Sequence, residues 1–133
     1  MIRFAQVLAA VFVAVLASAG LTAMFAPDLI AEPSQFNVVT DYGTTNLRTL
    51  GAPTLSLAVI TAIGAFRREW LLLLPAAMYF AFNLTARVTS VFVEGYESDM
   101  LRGLLFTGTL AILAQIALHT FRTSEEPAVA LAA

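Results

Sequence analysis

The 133-residue sequence contains no cysteine, no lysine, a single histidine and a single tryptophan, and only 12% of its residues are charged. Without cysteine the chain has no disulfide, no thiol nucleophile and no thiolate ligand for a metal or an iron–sulfur cluster. One histidine per chain does not supply both axial ligands of a haem. The net charge of −2 argues against a nucleic-acid partner. We therefore expect no cofactor, no metal site and no nucleic acid.

The motifs of common enzyme classes are missing as well. The sequence has no G-x-S-x-G nucleophile elbow, no glycine-rich phosphate loop and no histidine–carboxylate spacing typical of a metal site. Asp41, Glu94 and Glu97 could act as paired carboxylates, but acidic residues in loops are usually only solvated. We expect that the protein is not an enzyme.

Apolar residues dominate the chain. They make up 59% of it, and the mean hydropathy is +0.84. A soluble domain of this length needs more polar surface to cover its core, and a disordered chain is far less apolar. The composition therefore predicts one small integral membrane domain.

Four apolar runs are each long enough to cross a bilayer, which takes about 20 residues in a helix. They cover about residues 4–25, 47–66, 70–93 and 101–121. The pattern predicts an all-α fold, a transmembrane four-helix bundle over residues 1–122, followed by a mobile C-terminal tail over residues 123–133. An alternative for the first run stays open: its charged start and the Ala17-Ser18-Ala19 sequence are also typical of a cleaved signal peptide.

The positions of the arginines predict the orientation of the bundle. Arg3, the Arg67-Arg68 pair and Arg122 flank the runs on one side, whereas most acidic residues lie in the loops on the other. Arginine-rich short loops stay in the cytoplasm. We therefore expect both termini in the cytoplasm and a multi-pass protein of the bacterial inner membrane.

Small residues recur every four positions, the spacing that places side chains on one helix face. Helices in lipid associate closely through such faces. The predicted contact stripes are Ala10, Ala14, Ser18 and Thr22 in the first run, Thr54, Ala58 and Ala62 in the second, and Gly103, Thr107 and Ala111 in the fourth.

Arg87 is the most informative residue, because it lies inside the third run, about 25 Å from its cytoplasmic start by helical rise. A charge within the membrane is costly and needs polar partners. Helical spacing puts it on one polar stripe, which should face the bundle interior: Tyr79, Asn83, Arg87, Ser90 and Glu94.

Arg48 and the neighbouring Asn46 open the second run at the same outer level. We therefore predict an outward-facing polar pocket formed by Arg48, Arg87, Asn83, Asn46, Ser90 and Glu94. Two interpretations of this pocket stay open. The arginines could pair with Glu94, Asp41 or Glu32 and hold the loops in place, or they could bind a lipid headgroup or another anion through their guanidinium groups.

Three features together resemble a known family: Phe-Ala-Pro-Asp at residues 25–28, Asn46-Leu47-Arg48 followed by Gly51, and an arginine near the outer end of the third helix. The chain resembles small four-helix bacterial membrane proteins of the DoxX-like kind over about residues 4–121, in particular a branch whose domain has no assigned function. The resemblance implies a four-helix bundle and a bacterial inner membrane, and it implies no activity. The chain departs from these relatives in having Gly51-Ala52-Pro53 where they tend to have a paired glycine, and in lacking the acidic residue that some of them carry in the last helix.

These observations favour a small non-enzymatic inner-membrane protein, either a binding module or an accessory subunit of a larger membrane complex. The expected partners are membrane lipids, other membrane subunits or copies of the chain itself. The alternative is an oligomeric small-molecule transporter, because four helices transport only when several copies assemble.

Overall fold

The computed structural model describes residues 2–31, 41–93 and 98–130, with side chains placed for residues 3–30, 43–93 and 100–124. These segments are all-helical and contain no strand. The elements are α1 (Ile2–Phe25), the short α2 (Asp28–Ala31), α3 (Asp41–Arg67), a 3₁₀ turn (Trp70–Leu72), α4 (Leu74–Val93) and α5 (Ser98–Ala130). The predicted all-α fold is confirmed.

Four helices are long and apolar enough to cross a membrane: Arg3–Phe25, Gly43–Arg67, Trp70–Val93 and Met100–Ser124. They coincide with the four predicted runs, which is typical of multi-pass membrane proteins. Two helices extend further than their apolar runs predict, because hydropathy marks the apolar part of a helix and not the end of its backbone hydrogen bonding. α3 begins at Asp41, and α5 continues to Ala130 into the segment predicted as a tail. Residues 131–133 of that tail lie outside the described residues.

The bundle has small residues inside and large residues outside. More than half of the buried apolar side chains in the described segments are alanines. Large side chains point outward instead, among them Phe4, Phe25, Phe66, Phe82 and Phe92. Helices with alanine at their contacts approach closely, and the outer surface that results is suited to contact with lipid.

The crossing of α1 and α3 depends on two glycines. A side chain on Gly51 would lie 2.7 Å from the backbone oxygen of Gly20, and one on Gly20 would lie 2.9 Å from the backbone nitrogen of Leu55. This contact turns α1 so that Ala10 and Ala14 are exposed. Ser18 of the predicted stripe is exposed too, so the prediction is wrong for three of its four residues, which lie off the buried face of α1. The buried face of α1 instead carries Ala5, Ala9, Phe12, Leu16, Gly20 and Ala23.

The two ends of the bundle are built differently. The turn end, where α3 passes into α4 through residues 67–73, is closed by large side chains. Phe121 and Leu73 are buried there with Ala5 and Ala9, and Trp70 packs against this cluster. The guanidinium of Arg122 lies 5.4 Å from the centre of the Trp70 ring, within cation–π distance.

The long helices are arranged around the bundle in the order α3, α1, α5, α4. α3 packs mainly against α1, and α4 packs mainly against α5, whereas α3 and α4 have the smallest contact of the neighbouring pairs. The side between α3 and α4 is therefore the most open one.

Candidate functional site

A cavity of about 620 Å³ lies between the long helices, in the half of the bundle opposite the turn end. We call this half the cavity end. Pockets that bind small molecules have volumes of about 300–1,000 Å³. The cavity is lined by Val15, Leu16, Ser18, Ala19, Thr22, Ile30, Thr54, Tyr79, Phe80, Asn83, Arg87, Phe106, Thr107 and Leu110. Its size suits an organic ligand.

The deep part of the cavity is apolar. Leu16, Phe80 and Leu110 are buried core residues that also line it. Below them the rings of Phe12 and Phe80 are in contact, with centroids 5.5 Å apart. The aromatic pair closes the cavity toward the turn end, so we call this part the apolar floor.

One face of α4 contributes three polar side chains to the cavity. Tyr79, Asn83 and Arg87 follow one another at intervals of four, and all three line the cavity. The Asn83 side-chain amide donates a hydrogen bond to the backbone oxygen of Tyr79, at 3.1 Å. Its carbonyl oxygen makes no hydrogen bond within the described part of the chain.

Arg87 lies at the rim of this polar part, against α5. Its guanidinium occupies the space that a side chain at position 103 would take, and Gly103 is the residue that leaves this space free. Arg87 is exposed and has no ion pair with any described residue. At the turn end, by contrast, Arg67 forms an ion pair with Glu69 at 4.0 Å. Among the side chains that the structure describes, the Arg87 cation at the cavity rim therefore has no counter-charge.

Thr107 adds a second unused polar group. Most described threonines donate their hydroxyl to the backbone oxygen four residues earlier, for example Thr22 to Ser18 at 2.7 Å and Thr54 to Leu50 at 3.0 Å. Thr107 is only 6% exposed and makes no such bond in the described structure. Its oxygen is not completely enclosed, and the residue lines the cavity. The hydroxyl is therefore available to a ligand.

The structure brings together only part of the predicted pocket. Arg87 and Asn83 line the cavity, whereas Arg48, Asn46 and Ser90 do not. Glu94 lies outside the described residues, as do Glu32 and the side chain of Asp41. The predicted pairing of the arginines with these acids is not addressed by the described structure.

Arg48 is absent from the cavity because of its position on α3. Leu47 and Gly51 are buried, and residues next to them in sequence point about 100° away around a helix. Arg48 and Asn46 flank Leu47, and both are exposed. Arg48 therefore does not line this cavity, and the prediction that Arg48 and Arg87 share one polar pocket stays a prediction.

Sequence patterns missed several contributors to this site. Tyr79 was part of the polar stripe but not of the predicted pocket, and Gly103 and Thr107 were assigned only to helix contacts. One sequence pattern in α5 could have indicated these contributors. Gly103 precedes Thr107 by four residues, so both lie on one face of the helix. Such a pair leaves room for a long side chain from a neighbouring helix.

The described residues contain no cluster of three or more histidine, cysteine or carboxylate side chains that could hold a metal. Comparison with known proteins finds no matching family model, no similar curated protein and no similar solved structure.

Proposed function

We propose that the chain is a multi-pass protein of the bacterial inner membrane that binds, without catalysis, a ligand carrying an anionic group. In this proposal the anion lies beside Arg87, and Asn83, Tyr79 and Thr107 supply further polar contacts. The single observation that carries the proposal is the guanidinium of Arg87 at the rim of a 620 Å³ cavity, without an ion pair to any described side chain.

The energetic reason is the cost of a charge inside a bilayer. An arginine at the centre of a membrane helix costs about 2.5–3.5 kcal/mol on insertion scales, and less toward the interface. By rise per residue, Arg87 is about 20 Å along α4 from Leu74. Guanidinium groups form strong, often bidentate hydrogen bonds with carboxylates and phosphates. A bound anion would therefore offset the cost of placing this residue in the membrane.

The membrane setting is supported by the outward-facing phenylalanines and by the arginines at the turn end. Arg67 and Arg68 form the turn, and Arg3 and Arg122 belong to the helix ends that meet there. The positive-inside rule places this end in the cytoplasm. The cavity end then faces the periplasmic side, and both termini are cytoplasmic. The resemblance to DoxX-like proteins agrees with this setting.

The test is native mass spectrometry of the detergent-extracted protein, incubated separately with inorganic phosphate and with laurate. We expect at least one of these anions to bind in a 1:1 ratio, and the Arg87→Gln variant to lose most of the bound population. Arg48→Gln is the matched control, because Arg48 is an exposed arginine at the same end of the bundle that does not line the cavity. Equal binding by the two variants would contradict the proposal.

A further inference from the structure

The charge of Arg87 and the apolar floor of the cavity lie at different depths. Along α4, Phe80 on the apolar floor and Arg87 at the rim are seven residues apart in sequence, which corresponds to about 10 Å of helix. Arg87 is the charged residue of the lining, and Leu16, Phe80 and Leu110 are the apolar floor. A ligand that contacts both parts must therefore carry its charge at one end and an apolar body at the other.

The volume of the cavity gives a second argument. An inorganic anion bound at Arg87 would leave most of the 620 Å³ unfilled. The cavity is open to its surroundings, and contact between its apolar floor and water is unfavourable. In a membrane, the groups available to fill an apolar space are hydrocarbon chains. A single apolar chain attached to the anion would fill the floor and keep the charge at Arg87.

The open side of the bundle provides a route for such a ligand. α3 and α4 have the smallest contact of the neighbouring long helices, and both contribute to the cavity, with Thr54 from α3 and Tyr79 and Asn83 from α4. In the proposed membrane setting this side opens toward lipid. A membrane-dissolved amphiphile could therefore enter sideways, whereas a free anion would have to come from water.

From these observations we propose that the ligand is a single-chain anionic amphiphile, with its carboxylate or phosphate beside Arg87 and its chain on the apolar floor. This inference rests on the proposed anion site and adds the chemical class of the ligand. Gly103 is part of the site, because it leaves the space that the guanidinium occupies.

The experiment uses laurate with a photoreactive diazirine near the end of its chain, added to the detergent-extracted full-length protein. After irradiation, labelled peptides are identified by mass spectrometry. We expect labelling of the floor, at Leu16, Phe80 or Leu110, or of Val15, the lining residue next to Leu16. An excess of unmodified laurate should abolish this labelling, whereas equal concentrations of acetate or inorganic phosphate should reduce it less than twofold.

Two pairs of variants test the head and the chain separately. Arg87→Gln should lower floor labelling about tenfold, the effect of losing a charge-assisted hydrogen bond, and Arg48→Gln should leave it unchanged. Val15→Phe should block the chain by filling the cavity. Val11→Phe is its control, because Val11 lies one turn away on α1, is exposed and does not line the cavity.

The outcomes separate the ligand class from the anion site. If acetate or phosphate competes as well as laurate and this competition requires Arg87, the inference is overturned and the anion site stands. If floor labelling is the same in Arg87→Gln as in the unmodified protein, the laurate is only adsorbed to an apolar surface, and the inference is overturned. If neither phosphate nor laurate binding depends on Arg87, the proposed function is overturned as well.

Discussion

The turn end and the cavity end are built from the same helices, but the side chains between the helices differ in size. At the turn end, Phe121 is completely buried and Trp70 lies beside it. At the cavity end, the same face of α5 carries Gly103 and Thr107, which leave space between the helices. The difference shows that a bundle of this length is closed or open according to the size of a few side chains along one face.

The arginines of the turn end and of the cavity end also have different surroundings. The arginines of the turn end lie in the turn and at helix ends, where Arg67 pairs with Glu69 and Arg122 packs on Trp70. At the cavity end, Arg87 lies within a helix and has no ion pair among the described residues. Arg87 is exposed at the rim of the cavity, so its guanidinium is accessible to an anion that enters there. The cavity end is therefore where a ligand is expected.

The largest effect is expected from Phe121→Ala at the turn end. Removing a fully buried aromatic ring costs about 3–5 kcal/mol, because the surrounding residues only partly fill the space. Phe106→Ala is the matched change at the cavity end, where Phe106 is 60% exposed, and it should cost less than about 1 kcal/mol. Unfolding by denaturant titration in mixed micelles measures both. Similar losses in the two variants would contradict the division into a closed and an open end.

The next largest effect is expected from Gly51→Ala, which adds a methyl group 2.7 Å from the backbone oxygen of Gly20. Backbone atoms do not move aside as easily as side chains, so the variant should lose about 1–3 kcal/mol. Ala52→Val adds methyl groups to an exposed neighbour and should change stability little. The same unfolding titration compares them, and equal stability of Gly51→Ala and the unmodified protein would refute the close contact of α1 and α3.

A smaller, local effect is expected from Gly103→Ala. The new methyl group would take the space of the Arg87 guanidinium, and a long flexible side chain moves away at little cost. The variant should unfold like the unmodified protein but show about tenfold weaker floor labelling by the photoreactive laurate, since one charge-assisted contact is lost. Gly108→Ala is the control, because its methyl group would meet Leu84 at an ordinary 3.7 Å. Unchanged labelling in Gly103→Ala would mean that the position of Arg87 does not matter.

The smallest effect is expected at the turn itself, where Arg68 has a backbone φ of 62°. This left-handed conformation is sterically unfavourable for a residue with a side chain, whereas glycine adopts it without a steric penalty. Arg68→Gly should therefore stabilise the bundle by about 1 kcal/mol. Arg67→Gly should destabilise it by a similar amount, because Arg67 is still helical. Thermal unfolding of the two variants should shift in opposite directions.

Several parts of the fold are predictable from the sequence, because hydrophobic length is a local property. The four apolar runs coincide with the four long helices, and the spacing of Gly103, Thr107 and Ala111 predicts a packed face of α5. The same spacing rule fails in α1. Ala5 and Ala9 are spaced like Ala10 and Ala14, so small-residue spacing alone does not distinguish the two faces. The contact of Gly20 with Gly51 selects one of them.

The candidate site, too, was predictable from the sequence only in part. The sequence predicts a polar stripe containing Asn83 and Arg87. An arginine within an apolar membrane helix is costly unless it faces polar groups, so the residues on its side of the helix are informative. The partners of that stripe depend on how the neighbouring helices are rotated. Leu47 and Gly51 face inward on α3, and this rotation turns Arg48 away from the cavity. Spacing within one helix does not contain that information.

Composition and hydropathy thus determine that this chain forms four long apolar helices with an arginine inside one of them, because these properties depend on each segment separately. The cavity, its floor and the contact of Arg87 with Gly103 arise only when the helices pack. They depend on which face each helix turns inward, and the close approach of backbones at a few glycines sets those faces.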